Sequence, residues 1–191
     1  MIAAILAGGT SRRMGRDKAL LEVDGISMLE RACRAAANVG LPAVVIGRRP
    51  SLLPVTMRHD FDAIADDTPD QGPLGGLATA MRHYPDMDIL LSACDLPQVN
   101  AQHFMWLRNT THLHGERSPA GIIPTHEDIS QPLFAIYRPA LFPAIQKLLS
   151  LNQRAMRNLL SAADFHYLEL PSHLTQAILD ADTEEDLQRF R

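Results

Sequence analysis

The sequence predicts an α/β fold, a three-layer α/β/α sandwich around a mostly parallel sheet. Three observations predict it. Short apolar runs alternate along the chain with segments whose apolar residues recur at helical spacing. The first run, Ile2–Leu6, is apolar throughout and leads into Gly8-Gly9, the pattern of a strand covered on both faces. The 191 residues suffice for one substantial core but not for two ordinary ones, so residues 1–191 are expected to form a single domain.

Each element follows in order. After Ile2–Leu6, residues 7–18 form a loop rich in glycine and arginine. Asp24-Gly25 marks a turn, and Ser27 with Glu30 has the spacing of a capping box opening a helix to residue 39. Met28, Leu29, Ala32, Cys33 and Ala36 are its apolar face, and Gly40-Leu41-Pro42 stops it. Ala43–Ile46 reads as the next strand. Residues 63–65 form a short strand before Asp66-Asp67, and Gly72-Pro73-Leu74-Gly75-Gly76 reads as a turn into a helix over 77–83. A buried strand over 88–94 ends at Asp95, and Asn100 caps a helix through Trp106, with Met105 and Trp106 read as core. Strands at 121–124 and 132–137 flank the polar segment 125–130. Helices at 140–150 and 154–162, a strand at 166–170 and a last helix capped by Thr183 complete the pattern.

Composition excludes several classes. The formal net charge is -4, with no basic stripe of the kind nucleic acid requires, so no nucleic-acid partner is expected. Two cysteines, Cys33 and Cys94, do not make a disulfide framework and suit a reducing compartment. The opening apolar run lacks a preceding basic residue and reads as a strand rather than an export signal. No stretch approaches the roughly 20 apolar residues that span a bilayer, so no membrane association and a cytoplasmic location are expected.

In sheets of this kind ligands gather beyond the C-terminal ends of the strands. That rule selects the loop after Leu6, Asp66-Asp67 and Asp95. Leu6, Ala7, Gly8 and Gly9 put bare backbone directly after a strand, where N–H groups approach an anion closely. Arg12, Arg13, Arg16 and Lys18 then concentrate positive charge beside the single acidic Asp17. A triphosphate carries comparable opposite charge, at roughly one to two charges per phosphate group. The spacing fits neither the Gly-Lys-Ser/Thr phosphate loop nor the Gly-x-Gly-x-x-Gly dinucleotide fingerprint. Asp95, on a strand tip before Leu96-Pro97, suits magnesium, which takes oxygen ligands from one or two carboxylates plus phosphates and water.

The stretch from Leu6 to Leu21 resembles the signature of sugar-phosphate and cofactor nucleotidyltransferases. More narrowly, it resembles the molybdenum cofactor guanylyltransferases of the MobA-like family, whose loop reads Leu-Ala-Gly-Gly-x-x-x-Arg-Met-Gly-x-Asp-Lys. Gly72-Pro73-Leu74-Gly75-Gly76, Cys94-Asp95-Leu96-Pro97, Gln131-Pro132-Leu133 through Tyr137, and the ending Asp182-Thr183-Glu184-Glu185-Asp186-Leu187 match in the same order. The resemblance implies a Rossmann-like sheet of the nucleotide-diphospho-sugar transferase type. It implies transfer of GMP from GTP to a molybdopterin-type cofactor, with release of pyrophosphate and with Mg2+. By resemblance, Arg13, Lys18 and Asp95 are catalytic; Leu6, Ala7, Gly8, Gly9, Lys18, Asp67 and Asp95 bind nucleotide; and Asp95 holds the metal. Asp67 is preferred to Asp66 for its nearness to Gly72-Pro73-Leu74, and Asp180 and Asp182 are assigned to the acceptor. Transient contact with cofactor-delivering and cofactor-receiving proteins is also implied.

A phosphate-monoester acceptor is already ionised near neutrality, so alignment and charge neutralisation suffice without a general base. This chain departs from the family at Gly47, where an asparagine is expected, and at Asp180 and Asp182, where two asparagines are expected. The alternatives are a cytidylyltransferase for the same cofactor, a sugar-phosphate nucleotidyltransferase, and a nucleotide-sensing module without turnover. A zinc site at His103, His112, His114 and His126 and a nucleophilic Cys94 are set aside in favour of loop and core roles.

Overall fold

The computed structural model describes residues 1–8, 17–96, 98–112 and 119–178. Strands alternate with helices as β1 (Ile2–Leu6), β2 (Glu22–Val23), β3 (Ile26–Ser27), α1 (Met28–Ala37), β4 (Ala43–Ile46), β5 (Asp62–Ile64), α2 (Gly72–His83) and β6 (Ile89–Ala93). There follow α3 (Ala101–Asn109), β7 (Gly121–His126), β8 (Ile129–Ser130), β9 (Phe134–Tyr137), α4 (Phe142–Ser150), α5 (Met156–Ala162) and β10 (His166–Glu169).

The main sheet runs β10-β7-β9-β6-β1-β4-β5, with β8 paired to β7. The β1 ladders to β4 and β6, the β4–β5 ladder and the β7–β10 ladder are parallel, whereas β9 is antiparallel to both of its neighbours. The C-terminal ends of β1, β4, β5 and β6 therefore share one edge, and β9 begins there. The chain goes from β1 outward through β4 and β5, then crosses back to β6 on the other side of β1. That reversal puts a topological switch point between β1 and β6.

Both sheet faces are covered, as the unbroken apolar strands require. Ala3, Ile5, Val45 and Leu90 face one cluster with Leu29, Cys33 and Ala36 of α1 and Phe104 and Leu107 of α3. Ala4, Val44, Ile46 and Leu91 face the other, with Leu77 and Met81 of α2, Ile145 of α4 and Leu159 of α5. Among the described residues no helix is long and apolar enough to cross a membrane.

Local chemistry accounts for the boundaries. Ser27 caps α1 by accepting the Glu30 N–H at 3.2 Å. Asp24 and Gly25, both at positive φ (55° and 75°), form the turn of the β2–β3 hairpin. Asn100 caps α3 by accepting the Gln102 N–H at 2.9 Å, while His103 Nδ1 accepts the Asn100 N–H at 3.2 Å. His103 Nε2 then donates to the Leu174 carbonyl at 3.2 Å, so this histidine ties α3 to the segment after β10. Burial lowers the pKa of this imidazole, against the hydrogen bonds to Leu174 and Asn100.

Two readings of the sequence change. The Gly72–Gly76 segment is the first turn of α2 rather than a turn before it, because Pro73 lacks only an N–H that a helix start leaves unpaired anyway. Met105 is 45% exposed rather than core, whereas Trp106 packs on Leu170 and Leu174. The helix expected from Thr183 lies outside the described residues.

Gly121 sits where β7 meets β9: a Cβ there would lie 2.1 Å from the Ile136 carbonyl oxygen. Backbone cannot yield as a side-chain tip does. Gly121→Ala is therefore expected to lower stability by about 1–3 kcal/mol, read as a lower urea midpoint at unchanged slope.

Candidate functional site

The tips of β1 and β4 approach so closely that neither carries a side chain. A Cβ on Gly47 would fall 2.6 Å from both the Cα and the N of Gly8, and Gly47 itself sits at φ 92°. A Cβ on Gly8 would lie 3.2 Å from the Gly47 Cα and 2.9 Å from Asp66 Oδ2. Only glycine permits both the contact and the conformation. The asparagine expected at position 47 by resemblance has no room on this backbone.

Asp66 follows β5 by two residues and turns its carboxylate over these glycines. Gly76 of α2 closes the other side: a Cβ there would lie 3.8 Å from Asp66 Oδ1 and 2.6 Å from Leu6 Cδ2. Oδ1 is buried with no hydrogen-bond partner among the described residues. Burial, and secondarily the charge of Asp67, pushes the Asp66 carboxyl above its ordinary range. An acceptor oxygen so placed at a strand edge can take a hydrogen bond from a ligand's donor.

Asp67 does not join it. Its carboxylate pairs with Arg82 in the last turn of α2, with His83 Nε2 3.9 Å away, and its backbone N–H donates to Thr79 Oγ1 at 3.3 Å. Asp67 and Arg82 instead line a cavity of about 290 Å³ with Thr79 and Gln146. Of the two, Asp66 faces the glycine pair, whereas Asp67, the one preferred from the sequence, faces Arg82. Successive residues in an extended segment point to opposite sides, and the cation offered by α2 captures the second.

Arg48 was missed as a structural element. Only 8% exposed, it donates from Nε to the Ala7 carbonyl at 3.1 Å and from Nη2 to both carboxylate oxygens of Asp17, at 2.5 Å to Oδ2. Asp17 in turn caps the short 3-10 turn Lys18–Leu20 by accepting the Ala19 N–H at 3.2 Å. A cation directly after a strand that ends at the ligand edge was the available signal.

Asp95 and Lys18 lie at this same edge. Leu6 registers with Ala93, and the Cys94 N–H donates to the Leu6 carbonyl at 3.1 Å, which brings the chain at Asp95 beside the tip of β1. Ala19, next to Lys18, packs in one cluster with Ala7, Ala93, Cys94 and Leu96. The Cys94 thiol is pushed up to about 12 by burial and by Asp95, against Arg48, with Asp17 adding to the rise. A thiol so far from ionisation is no nucleophile at neutral pH. Leu133, at the start of β9, accepts the Ala93 N–H at 2.8 Å, so Gln131-Pro132-Leu133 borders the edge as well. Leu6, Ala7, Gly8, Lys18, Asp66 and Asp95 are thus brought to the edge where β1, β4, β5 and β6 end. Gly9, Arg13, Asp180 and Asp182 lie outside the described residues.

The family profile described as MobA-like NTP transferase domain matches residues 3–169. A relative from Synechococcus elongatus named probable molybdenum cofactor guanylyltransferase is 34% identical over 191 residues, covering 99% of this chain and 97% of that protein. The molybdenum cofactor guanylyltransferase of Syntrophotalea carbinolica is 29% identical, covering 99% and 90%. In fold, the chain is similar to molybdopterin-guanine dinucleotide biosynthesis protein A from Archaeoglobus fulgidus, with a TM-score of 0.81 at 21% identity over 100% of this chain and 96% of that one.

The raised pKa of Asp66 fixes a sign. A carboxyl whose folded pKa exceeds its unfolded one contributes stability fully present below the unfolded value and lost as pH rises through the folded value. Asp66→Asn, uncharged at every pH, is expected to have a higher Tm than the parent protein at neutral pH. The gap should shrink as pH falls into the ordinary carboxylate range; a constant gap across a pH series of melting curves would contradict it.

Proposed function

The chain belongs to the MobA-like NTP transferase family, and on that premise we propose that the edge at β1 and β6 transfers GMP from GTP to a molybdopterin-type cofactor. The products are the guanine dinucleotide form of the cofactor and pyrophosphate. One observation carries the reading: the bare backbone at Gly8 and Gly47 with the Asp66 carboxylate over it, the Lys18 turn and Asp95 all lie along the edge where β1, β4, β5 and β6 end. An uncompensated polyanion is repelled by carboxylates, so this mixture suits a triphosphate that arrives with a divalent cation.

The residues present fit magnesium. Among the described residues no three His, Cys, Asp or Glu side chains gather into a metal cage. Magnesium does not need one, since it commonly takes one or two carboxylates with phosphate oxygens and water. Asp95 would hold it, and the bound ion would neutralise charge on the phosphates.

The protein's own groups do the rest. Backbone N–H groups at the end of β1 approach the phosphates where glycine leaves them bare. Lys18 and Arg13 balance the triphosphate charge and align the α-phosphorus. Asp66 receives an N–H or O–H donor of the nucleoside on its unpartnered oxygen. The acceptor's phosphate oxygen, ionised near pH 7, attacks the α-phosphorus; a new P–O bond forms, and the bond to the bridging oxygen breaks as that oxygen leaves with its electron pair on pyrophosphate. No proton has to be removed, so the step needs no general base. Asp180 and Asp182 are assigned to the acceptor by resemblance, with hydrogen-bond donors of the pterin as their counterparts.

Two measurements test this. GTP with magnesium is expected to raise the Tm more than CTP or dTTP does; a ligand at 100 times its Kd contributes about 2.7 kcal/mol. Equal shifts for GTP and CTP would remove the guanylyl assignment. Purified molybdopterin cofactor supplied with GTP or CTP separately should give the guanine dinucleotide. In the same assay, Asp95→Ala should keep the fold, by circular dichroism, and lose turnover by about a hundredfold or more, the scale of removing one preorganised charge-stabilising group.

A further inference from the structure

We infer that Arg48 is a positioning residue for nucleotide binding: its guanidinium fastens together the two ends of the glycine- and arginine-rich connection, at Ala7 and Asp17. This rests on the nucleotidyltransferase reading and adds to it a residue that touches no substrate.

The contacts are long-range and two-sided. Nε holds the Ala7 carbonyl, 41 positions away in sequence, and Nη2 holds the Asp17 carboxylate, 31 positions away. Ala7 is itself among the expected nucleotide contacts and adjoins Gly8, and Asp17 adjoins Lys18, so the clamp holds the backbone at both ends of the expected contact loop. Gly47, whose backbone meets that of Gly8, immediately precedes Arg48, whose side chain is buried at that edge. The Arg48 side chain is 9% exposed and that of Asp17 40%, so the pair is anchored in protein on the arginine side and reaches the loop on the other.

Charge gives a second reason. Asp17 is the one acidic residue among Arg12, Arg13, Arg16 and Lys18, and left alone it would oppose a polyphosphate. Paired with Arg48, its charge is matched within the protein rather than set against the ligand. A lysine would supply the charge but not the planar fork that serves a carbonyl and a carboxylate together. Gly47 offers no side chain to the nucleotide, and the residue after it acts through the loop instead.

The test uses full-length Arg48→Met, Arg48→Lys, Asp17→Asn and the double variant Arg48→Met/Asp17→Asn. Binding of magnesium pyrophosphate is measured by calorimetry, and KM is measured for GTP and for the molybdopterin acceptor. Arg48→Met and Asp17→Asn are each expected to raise the GTP KM and weaken pyrophosphate binding by about tenfold or more, a modest share of what breaking a buried pair releases. The acceptor KM should stay within about twofold, because the lost contact does not bear on the acceptor. The double variant should be no weaker than Arg48→Met, since the two changes remove one interaction. Arg48→Lys, the variant surest to fold, should keep most of the Tm while its GTP KM still rises. Unchanged GTP KM and pyrophosphate affinity in folded Arg48→Lys or Arg48→Met would overturn the inference, and so would a fall in Tm and kcat alone, which marks a purely structural pair. If the unmodified protein binds neither GTP nor pyrophosphate, the nucleotidyltransferase reading itself fails and the positioning role falls with it.

Discussion

The close approach of β1 and β4 at their tips constrains everything around it. With no space for a Cβ between residues 8 and 47, the backbone there is bare and Gly47 takes a left-handed conformation. The β4–β5 ladder and the following bend then bring the Asp66 carboxylate down onto the glycine pair. The same bend at Gly47 sends Arg48 under the sheet edge, where it meets Ala7 and Asp17. A larger residue at either glycine would separate the strand tips, and the carboxylate and the arginine would lose their placement together.

The electrostatics of the edge trade stability for readiness. Asp66 keeps an oxygen buried without a donor, an arrangement that disfavours its charged form in the free protein. Such groups persist where a ligand later satisfies them. The opposite solution operates at Asp17, whose charge is matched within the protein by Arg48, and at Asp67, matched by Arg82. Three carboxylates near one edge thus have different partners. The difference follows from which neighbouring element offers a cation, since α2 reaches Asp67, the residue after Gly47 reaches Asp17, and none of the described groups satisfies Asp66 Oδ1.

Much of this was legible in the residues. β1 and β4 fall where their apolar runs lie, and α1 begins where Ser27 and Glu30 call for a cap, because these signals are local. Gly8, Lys18 and Asp95 were legible as well, since each follows or borders a strand end and strand ends define the ligand edge. The start of α2 was misread because proline and glycine punctuate turns and helix starts alike, and only packing against Leu6 and Asp66 distinguishes the two. Asp66 and Asp67 are chemically identical neighbours, so nothing in the sequence separates them. Their different surroundings come from α2, whose Arg82 pairs with Asp67 while Asp66 faces the glycines.

Taken alone, the sequence determined the alternation of strands and helices, the glycine- and cation-rich loop after β1, and the acid at the end of β6. Each of these depends on backbone propensity and on residue types within a few positions, and such preferences are written locally. Only the tertiary structure decided that residues 8 and 47 touch, that Asp66 covers them, and that Arg48 joins Ala7 to Asp17. Those contacts link segments tens of residues apart, and they exist because the strand order of the sheet, a property of the whole chain, brings the tips of β1, β4, β5 and β6 to one edge.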